Sequence, residues 1–349
     1  MNTPTALHPP SWVDRLIDRI DALPGPAWVP YAVVFIAAAV VTNAAAWADG
    51  ALPLGTFSPY LNSLPIYLVG NYVAIHYLDA AASRAWASFR PALQIAEDEA
   101  DRVAYALTTM PAGPTSGWTF LGIAVAVAYL AGQYGAPLDP AGEPLDLAGG
   151  PLTLGVITVF GLVSFAGFGA FIYHTLHQLR LIGRLHGYVE RIDLLDQDPL
   201  HAFSGVTAMT GGILLAFVYV SLLTDPATLT NLALIVPFAF VVPLAVACFV
   251  VPLYGIKRRL VAEKSRRMTA VNRRLEEALA DLDRRADARD LTEADAFNKH
   301  LSSLLAERDV IARNPTWPWA PETVRGFATA LILPVVLWLI FRFLDLQLS

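Results

Sequence analysis

The stretch "FIYHTLHQLRLIGRLHGYVERID", residues 171–193, begins apolar and ends charged. After Tyr173, apolar residues recur at steps of three and four as far as Ile192, which is the pattern of one helix face. No proline or capping signal interrupts the stretch. It therefore predicts one helix that leaves an apolar segment and continues as an amphipathic helix for about five turns.

Three of the seven histidines of the chain lie in this stretch. His174 and His177 are three positions apart and share a helix face, whereas His186 is out of phase with them. A metal site would need further ligands, such as His201 or His76. We favour polar residues in the lipid headgroup zone on a packed helix, without a bound metal, and proton sensing is a third interpretation.

The composition is that of a membrane protein. The 349 residues are 55% hydrophobic and 15% charged, and their mean hydropathy is +0.49. In a soluble domain, roughly a quarter of the residues are charged. The single cysteine, Cys248, excludes a disulfide framework.

Seven apolar segments are long enough to cross a hydrocarbon core of about 30 Å. They lie at 27–47, 60–79, 117–135, 153–178, 207–224, 230–255 and 323–344. The second is the weakest candidate because it carries Asn62, Asn71 and His76, and it could instead be a broken or interfacial segment. The predicted fold class is all-α: seven transmembrane helices, helices extended into the cytoplasm and a cytoplasmic helical hairpin.

The charges predict the orientation. With the N-terminus in the cytoplasm, all of the 24 Lys and Arg residues except Arg342 lie on the inner side, as the positive-inside rule requires. The predicted outer loops are short and acidic. We therefore expect a multi-pass protein of the cell membrane with a cytoplasmic N-terminus and an extracytoplasmic C-terminus.

Four regions follow from this reading: a cytoplasmic N-terminal segment at 1–26, transmembrane helices 1–6 with cytoplasmic extensions at 27–255, a cytoplasmic helical hairpin at 256–313, and an elbow with the final transmembrane helix at 314–349. The hairpin has apolar residues near heptad spacing on its two arms. They are Leu260, Met268, Val271, Leu275, Ala278 and Leu282 on the first arm, and Phe297, Leu301, Leu304 and Ile311 on the second. This seam is narrow, so the hairpin should pack on other helices or on copies of itself.

The elbow reads "RNPTWPWAPETVRGF", residues 313–327. Its prolines end the hairpin helix, and Pro321 stands just ahead of the final helix, where its missing N–H costs nothing. Trp317 and Trp319 suit the membrane interface and are the predicted interfacial anchors.

No catalytic motif is present: we find no P-loop, GxSxG, HExxH or paired cysteine ligands, and predict neither an enzyme nor a cofactor. No Lys, Arg, Asp or Glu lies at mid-membrane, which weighs against an ion-coupled transporter, and Asp79 is interpreted as a helix-end charge. The basic residues of 256–313 lack interleaved aromatic residues, which disfavours nucleic acid as a partner. Asn71 and His76 are candidates for a ligand or polar pocket.

The order of these segments resembles the seven-transmembrane ion channel superfamily that includes the insect odorant and gustatory receptors. The shared features are seven spans, tiny outer loops, extended spans four to six, and a cytoplasmic helix ahead of the final span. The resemblance is one of topology. It implies a homotetrameric cation channel in which the last span lines the pore.

In such a pore, Thr329, Leu333, Val336 and Ile340 form one candidate face at helical spacing, and their apolar character suggests a gate that closes by dewetting. Asp345 would form an acidic ring that favours cations. The expected partners are membrane lipids, inorganic cations and further copies of the chain. The alternative is a non-conducting membrane sensor or scaffold whose hairpin docks a cytoplasmic partner.

Overall fold

The computed structural model describes residues 7–93, 95–135, 150–185, 202–224, 232–288, 294–317, 319 and 321–348. These residues form ten α-helices, one 3₁₀ turn (Arg90–Ala92) and no strand, apart from an isolated bridge between Pro10 and Pro111. The helices are α1 (Trp12–Asp21), α2 (Trp28–Ala48), α3 (Pro59–Phe89), α4 (Glu97–Thr108), α5 (Ala112–Gly135), α6 (Pro151–Leu185), α7 (Ser204–Thr224), α8 (Leu232–Asp287), α9 (Ala294–Arg313) and α10 (Pro321–Leu348). The all-α prediction is confirmed for this part of the chain.

Within the described ranges, five helices are long and apolar enough to cross a membrane. The segments are Trp28–Ala48, Ala112–Ala131, Pro151–Leu185, Ser204–Thr224 and Phe240–Arg285. They correspond to the predicted spans one, three, four, five and six. The second and seventh predicted spans are helical as well, in α3 and α10, but these two helices are not among the five.

The helix of the opening stretch is continuous as predicted, as far as the described residues extend. Helix α6 runs from Pro151 through the apolar segment to Leu185 without a break. Residues 186–193, with His186, and residue His201 lie outside the described residues. The same applies to the predicted break between the arms of the hairpin, at residues 289–293.

Contacts between side chains give the relative directions of the helices. Helices α2 and α3 are antiparallel, since Tyr31 meets His76 and Asn43 meets Asn62. Helices α3 and α6 are parallel, because Asn71 bonds to Ser164 and Asp79 to His174. Helix α7 is antiparallel to α3, through the pairs Tyr67–Phe217 and Phe89–Phe203. Helix α3 therefore lies between α2, α6 and α7 in the centre of the bundle.

Helices α5 and α6 approach each other closely through glycine. A Cβ atom on Gly122 would lie 2.1 Å from the carbonyl oxygen of Phe165, and one on Gly169 would lie 2.2 Å from that of Trp118. Such small-residue contacts let membrane helices pack backbone against backbone. The pairs also show that α5 and α6 are antiparallel.

Helices α1 and α4 cover one end of the bundle. Ser11 and Asp14 form a reciprocal capping box at the start of α1. The buried Asp14 carboxylate also accepts the backbone N–H of Met110, 3.0 Å away, which ties α1 to the start of α5. The largest apolar core lies at this end and includes Phe89, Phe203 and Leu260.

Helix α8 has 56 residues and changes character along its length. Its first half is apolar, and its second half carries basic and acidic residues in local pairs. A hydrogen bond from Arg266, together with one from Arg267, lowers the pKa of Glu263 to about 2, so this carboxylate stays charged at neutral pH. These pairs on one helix suit a solvated surface.

Helix α9 packs antiparallel on the second half of α8. Arg308 donates to Asn272, and Arg274 pairs with Glu307 at 3.1 Å. Five of the ten residues of the predicted seam are buried. Its buried members are Leu260, Val271, Ala278, Leu304 and Ile311.

Candidate functional site

Helix α10 has one packed face and one uncovered face. Phe327 is buried and stacks on Phe249 of α8, with ring centroids 4.3 Å apart. Tyr219 of α7 donates to the carbonyl oxygen of Ala330. A Cβ atom on Gly211 of α7 would lie 2.6 Å from the ring of Phe327. This contact and the bond from Tyr219 to Ala330 show that α10 is parallel to α7.

The predicted pore residues lie on the uncovered face. Thr329 is exposed, and Leu333 and Val336 are 43% and 41% exposed. Ile332, beside them, is also exposed. The side chains of Ile340 and Asp345 lie outside the described part of the chain, so these two predictions stay untested.

The two predicted anchors at the elbow differ in their surroundings. Trp319 is 4% exposed and packs on Phe249, whereas Trp317 is exposed and lies beside it, with ring centroids 5.1 Å apart. The Nζ atom of Lys257 in α8 lies 4.0 Å from the centroid of the Trp317 ring, a cation–π contact. Only Trp317 therefore presents its ring to the outside, and Trp319 belongs to the core.

Asn71 is buried at the contact of α3 with α6. Its Nδ2 atom donates to the carbonyl oxygens of Tyr67, 2.9 Å away, and of Ser164, 3.0 Å away. Its Oδ1 atom and the hydroxyl of Ser164 have no hydrogen-bond partner among the described residues. Asn71 thus joins two helices, at a contact where these two buried oxygen atoms lack partners in the described part of the chain.

His76 does not share a pocket with Asn71. It lies on another face of α3, where Nδ1 is 3.1 Å from the hydroxyl of Tyr31 and Nε2 is 3.2 Å from a carboxylate oxygen of Asp21. These contacts connect α3 to α2 and to the end of α1. The two candidate polar residues are therefore two separate contacts of one helix.

Among the described residues, the most deeply buried pair of an acid with a histidine is one that the sequence analysis missed. Asp79 is not at a helix end, because α3 continues to Phe89, so that interpretation is wrong. Its Oδ1 atom accepts from Nε2 of His174 at 2.8 Å and from Nε2 of Gln178 at 3.3 Å. Gln178 also donates to the carbonyl oxygen of Leu107 in α4, 3.0 Å away. The cluster joins α3, α4 and α6.

His177 makes a separate contact, although it shares a face with His174. Its Nε2 atom donates to the carbonyl oxygen of Ala106, 3.0 Å away. Within the described ranges, no group of three or more His, Cys, Asp or Glu side chains could hold a metal ion.

A sequence signal for this cluster exists but is weak. His174 and Gln178 are four positions apart and therefore share a face of α6. Asp79 is the only acid on α3, within a predicted membrane span, which by itself predicts a partner. The missing information was that α3 and α6 are parallel neighbours, which places these residues at one level.

Comparison with known proteins gives no relative: no family profile, no curated protein and no solved structure matches this chain.

Proposed function

We propose that the chain is the subunit of a homo-oligomeric, tetrameric cation channel of the cell membrane, and that α10 lines its pore. The observation that carries this proposal is the uncovered face of α10. Thr329, Leu333 and Val336 are exposed among the described residues, whereas Phe327 on the other side of the same helix is buried against Phe249. Copies of the chain arranged around a common axis would turn this face toward the axis, where it would line the pore.

The helix directions support seven crossings. If α2 crosses outward, then α3 returns inward as its antiparallel neighbour, and α6 follows the direction of α3. Helices α5 and α7 then run outward, and α10 runs outward parallel to α7. This alternation is the order that seven spans require, and it gives α3 and α10 directions suited to crossing.

The low hydropathy of α3 has a physical reason in this arrangement. Its polar side chains, such as Asn71 and Asp79, bond to neighbouring helices rather than face lipid. A helix enclosed by other spans can carry such residues because interhelical hydrogen bonds satisfy them. The basic second half of α8 and the whole of α9 would then lie in the cytoplasm, as the positive-inside rule favours.

The alternative function, a non-conducting sensor or scaffold, has one observation in its favour. The two arms of the hairpin expose the apolar side chains of Leu279, Leu305 and Val310. A partner or a second copy could cover them. Conductance separates the two functions, because only the channel predicts it.

The test is the conductance of the purified protein in planar bilayers. We expect wild-type protein to conduct cations, and Val336→Asn or Ile340→Asn to raise the leak current by wetting an apolar constriction. Val33→Asn is the matched control, because Val33 is 60% exposed on α2 and would face lipid. Asp345→Lys should reduce the preference for cations over anions. Background conductance in all of these proteins would overturn the proposal.

A further inference from the structure

The first turns of α10 carry an exposed acid and an exposed base, Glu322 and Arg325, three residues apart. At about 100° per residue, Glu322 lies about 20° from Thr329 around the helix axis, and Arg325 lies about 40° from it on the other side. The buried Phe327 lies about 160° away from Thr329. The two charges therefore continue the uncovered face of α10 toward the start of the helix.

These two side chains have no ion-pair partner in the described part of the chain. Glu263 and Arg266 of α8 have the same order and the same spacing, and they form an ion pair at 2.9 Å. Glu322 and Arg325 form no such pair, either with each other or with another described residue. A Cβ atom on Gly326, the next residue of α10, would meet nothing within 4 Å. Both charges are thus accessible to a partner from outside the chain.

A second copy of the chain is the partner that fits both charges. Because Glu322 and Arg325 lie on opposite sides of Thr329, each copy in a ring turns its acid toward one neighbour and its base toward the other. A closed ring is built from such contacts between unlike sides of identical subunits. An acidic partner would attract Arg325 and repel Glu322, and a basic partner would do the reverse, whereas a copy of the chain complements both.

We propose that Glu322 of each copy pairs with Arg325 of its neighbour, in a ring at the inner end of the uncovered face of α10. The inference rests on the assembly of copies around α10 given under the proposed function, and not on conduction. The ring carries equal numbers of both charges. A ring of arginines alone would repel cations at the inner end of the pore, so the pairing with Glu322 suits a pore for cations.

The test is charge reversal, followed by native mass spectrometry of the purified protein in detergent. Glu322→Arg makes both positions basic and Arg325→Glu makes both acidic, so copies of either variant repel one another. We expect the ratio of tetramer to monomer to fall at least about tenfold in each variant alone. When the two variants are co-expressed, mixed tetramers should form, because every contact between unlike copies joins an acid to a base. Glu276→Arg, at an exposed acid of α8, is the matched control and should assemble as the wild type does.

Co-expression distinguishes a pair between copies from a pair within one helix, because a pair within one helix would stay broken in each variant. The double variant, Glu322→Arg with Arg325→Glu, restores both signs in one chain and should assemble as the wild type does. Full assembly of either single variant alone, or the absence of mixed tetramers, would overturn the ring and leave the wild-type tetramer standing. A monomeric wild type would overturn both proposals. An assembled wild type without conductance would overturn only the channel, so failures of the two proposals are distinguishable.

Discussion

At the scale of single residues, we expect the buried pair of Asp79 and His174 to contribute strongly to the free energy of unfolding. The His174 side chain is 2% exposed and that of Asp79 is 14% exposed, so both have lost most of their hydration. Burial of a charge is costly unless a partner and further hydrogen bonds compensate it. Here the compensation comes from the pair itself and from Gln178.

Removal of the carboxylate should therefore destabilise the protein strongly. Asp79→Ala leaves the N–H groups of His174 and Gln178 without this acceptor, and we expect a loss of about 2–5 kcal/mol. The measurement is the midpoint of thermal unfolding in detergent. Asp18→Ala, at an exposed acid of α1, is the control and should shift the midpoint little. Equal midpoints for the two variants would mean that the pair contributes nothing to stability.

The sequence predicted some residues well and others not, for physical reasons. Leu304 and Ile311 follow from local periodicity, which the fold preserves because a narrow helix contact depends on that spacing. The partners of Asp79 depend on which helices are neighbours, and one sequence carries no such information. Trp319 was expected at the interface, but the fold turns it inward onto Phe249.

At the scale of elements, the contact between α5 and α6 depends on two glycines. The backbones approach so closely at Gly122 and Gly169 that any Cβ atom there would overlap a carbonyl oxygen. The obstacle is backbone, which cannot swing aside as a side chain can. The two helices would have to separate along the contact.

We expect Gly122→Ala to destabilise the protein by about 1–3 kcal/mol, or more if the helices cannot separate. Gly117, on the same helix, has nothing within 4 Å of its Cβ position and supplies the matched control. Gly117→Ala should be neutral or slightly stabilising, because alanine favours the helix. Thermal unfolding of the two variants measures the difference. The account of this contact fails if Gly122→Ala is as stable as Gly117→Ala.

The contact between α8 and α9 allows an equally direct comparison of neighbours. Leu304 is 4% exposed and Leu305 is 46% exposed. Leu304→Ala should reduce the free energy that holds α9 on α8 by about 2–5 kcal/mol, and Leu305→Ala should reduce it much less. Limited proteolysis measures this difference, because trypsin should cut at Arg308 faster in Leu304→Ala than in Leu305→Ala. Equal cleavage rates in both variants would show that the seam is not the contact that holds α9.

The helical elements were the most predictable part of the fold. Long apolar segments and a regular helix period predicted α2, α6, α7 and α8 without any knowledge of their neighbours. Helix α3 was ambiguous because its polar residues lower its hydropathy, and only the packing around it explains why they are tolerated. Helix directions and the close approach at Gly122 are tertiary properties, which periodicity does not encode.

At the scale of the whole molecule, the proposed orientation predicts which positions reagents can reach. In a Cys248→Ser background, Leu54→Cys lies in the exposed connection between α2 and α3 and should react with an impermeant thiol reagent in intact cells. Ser302→Cys, exposed on α9, should react only after permeabilisation. The reverse labelling pattern would mean that the protein has the opposite orientation in the membrane. It would contradict the orientation predicted from the distribution of Lys and Arg.

The central claim is that copies of the chain assemble around an axis lined by α10. A single-particle image of the purified protein tests it most directly. The account predicts four subunits with the face of Thr329, Leu333 and Val336 at a central pore. A monomer, or an oligomer in which this face of α10 points outward to lipid, would contradict it.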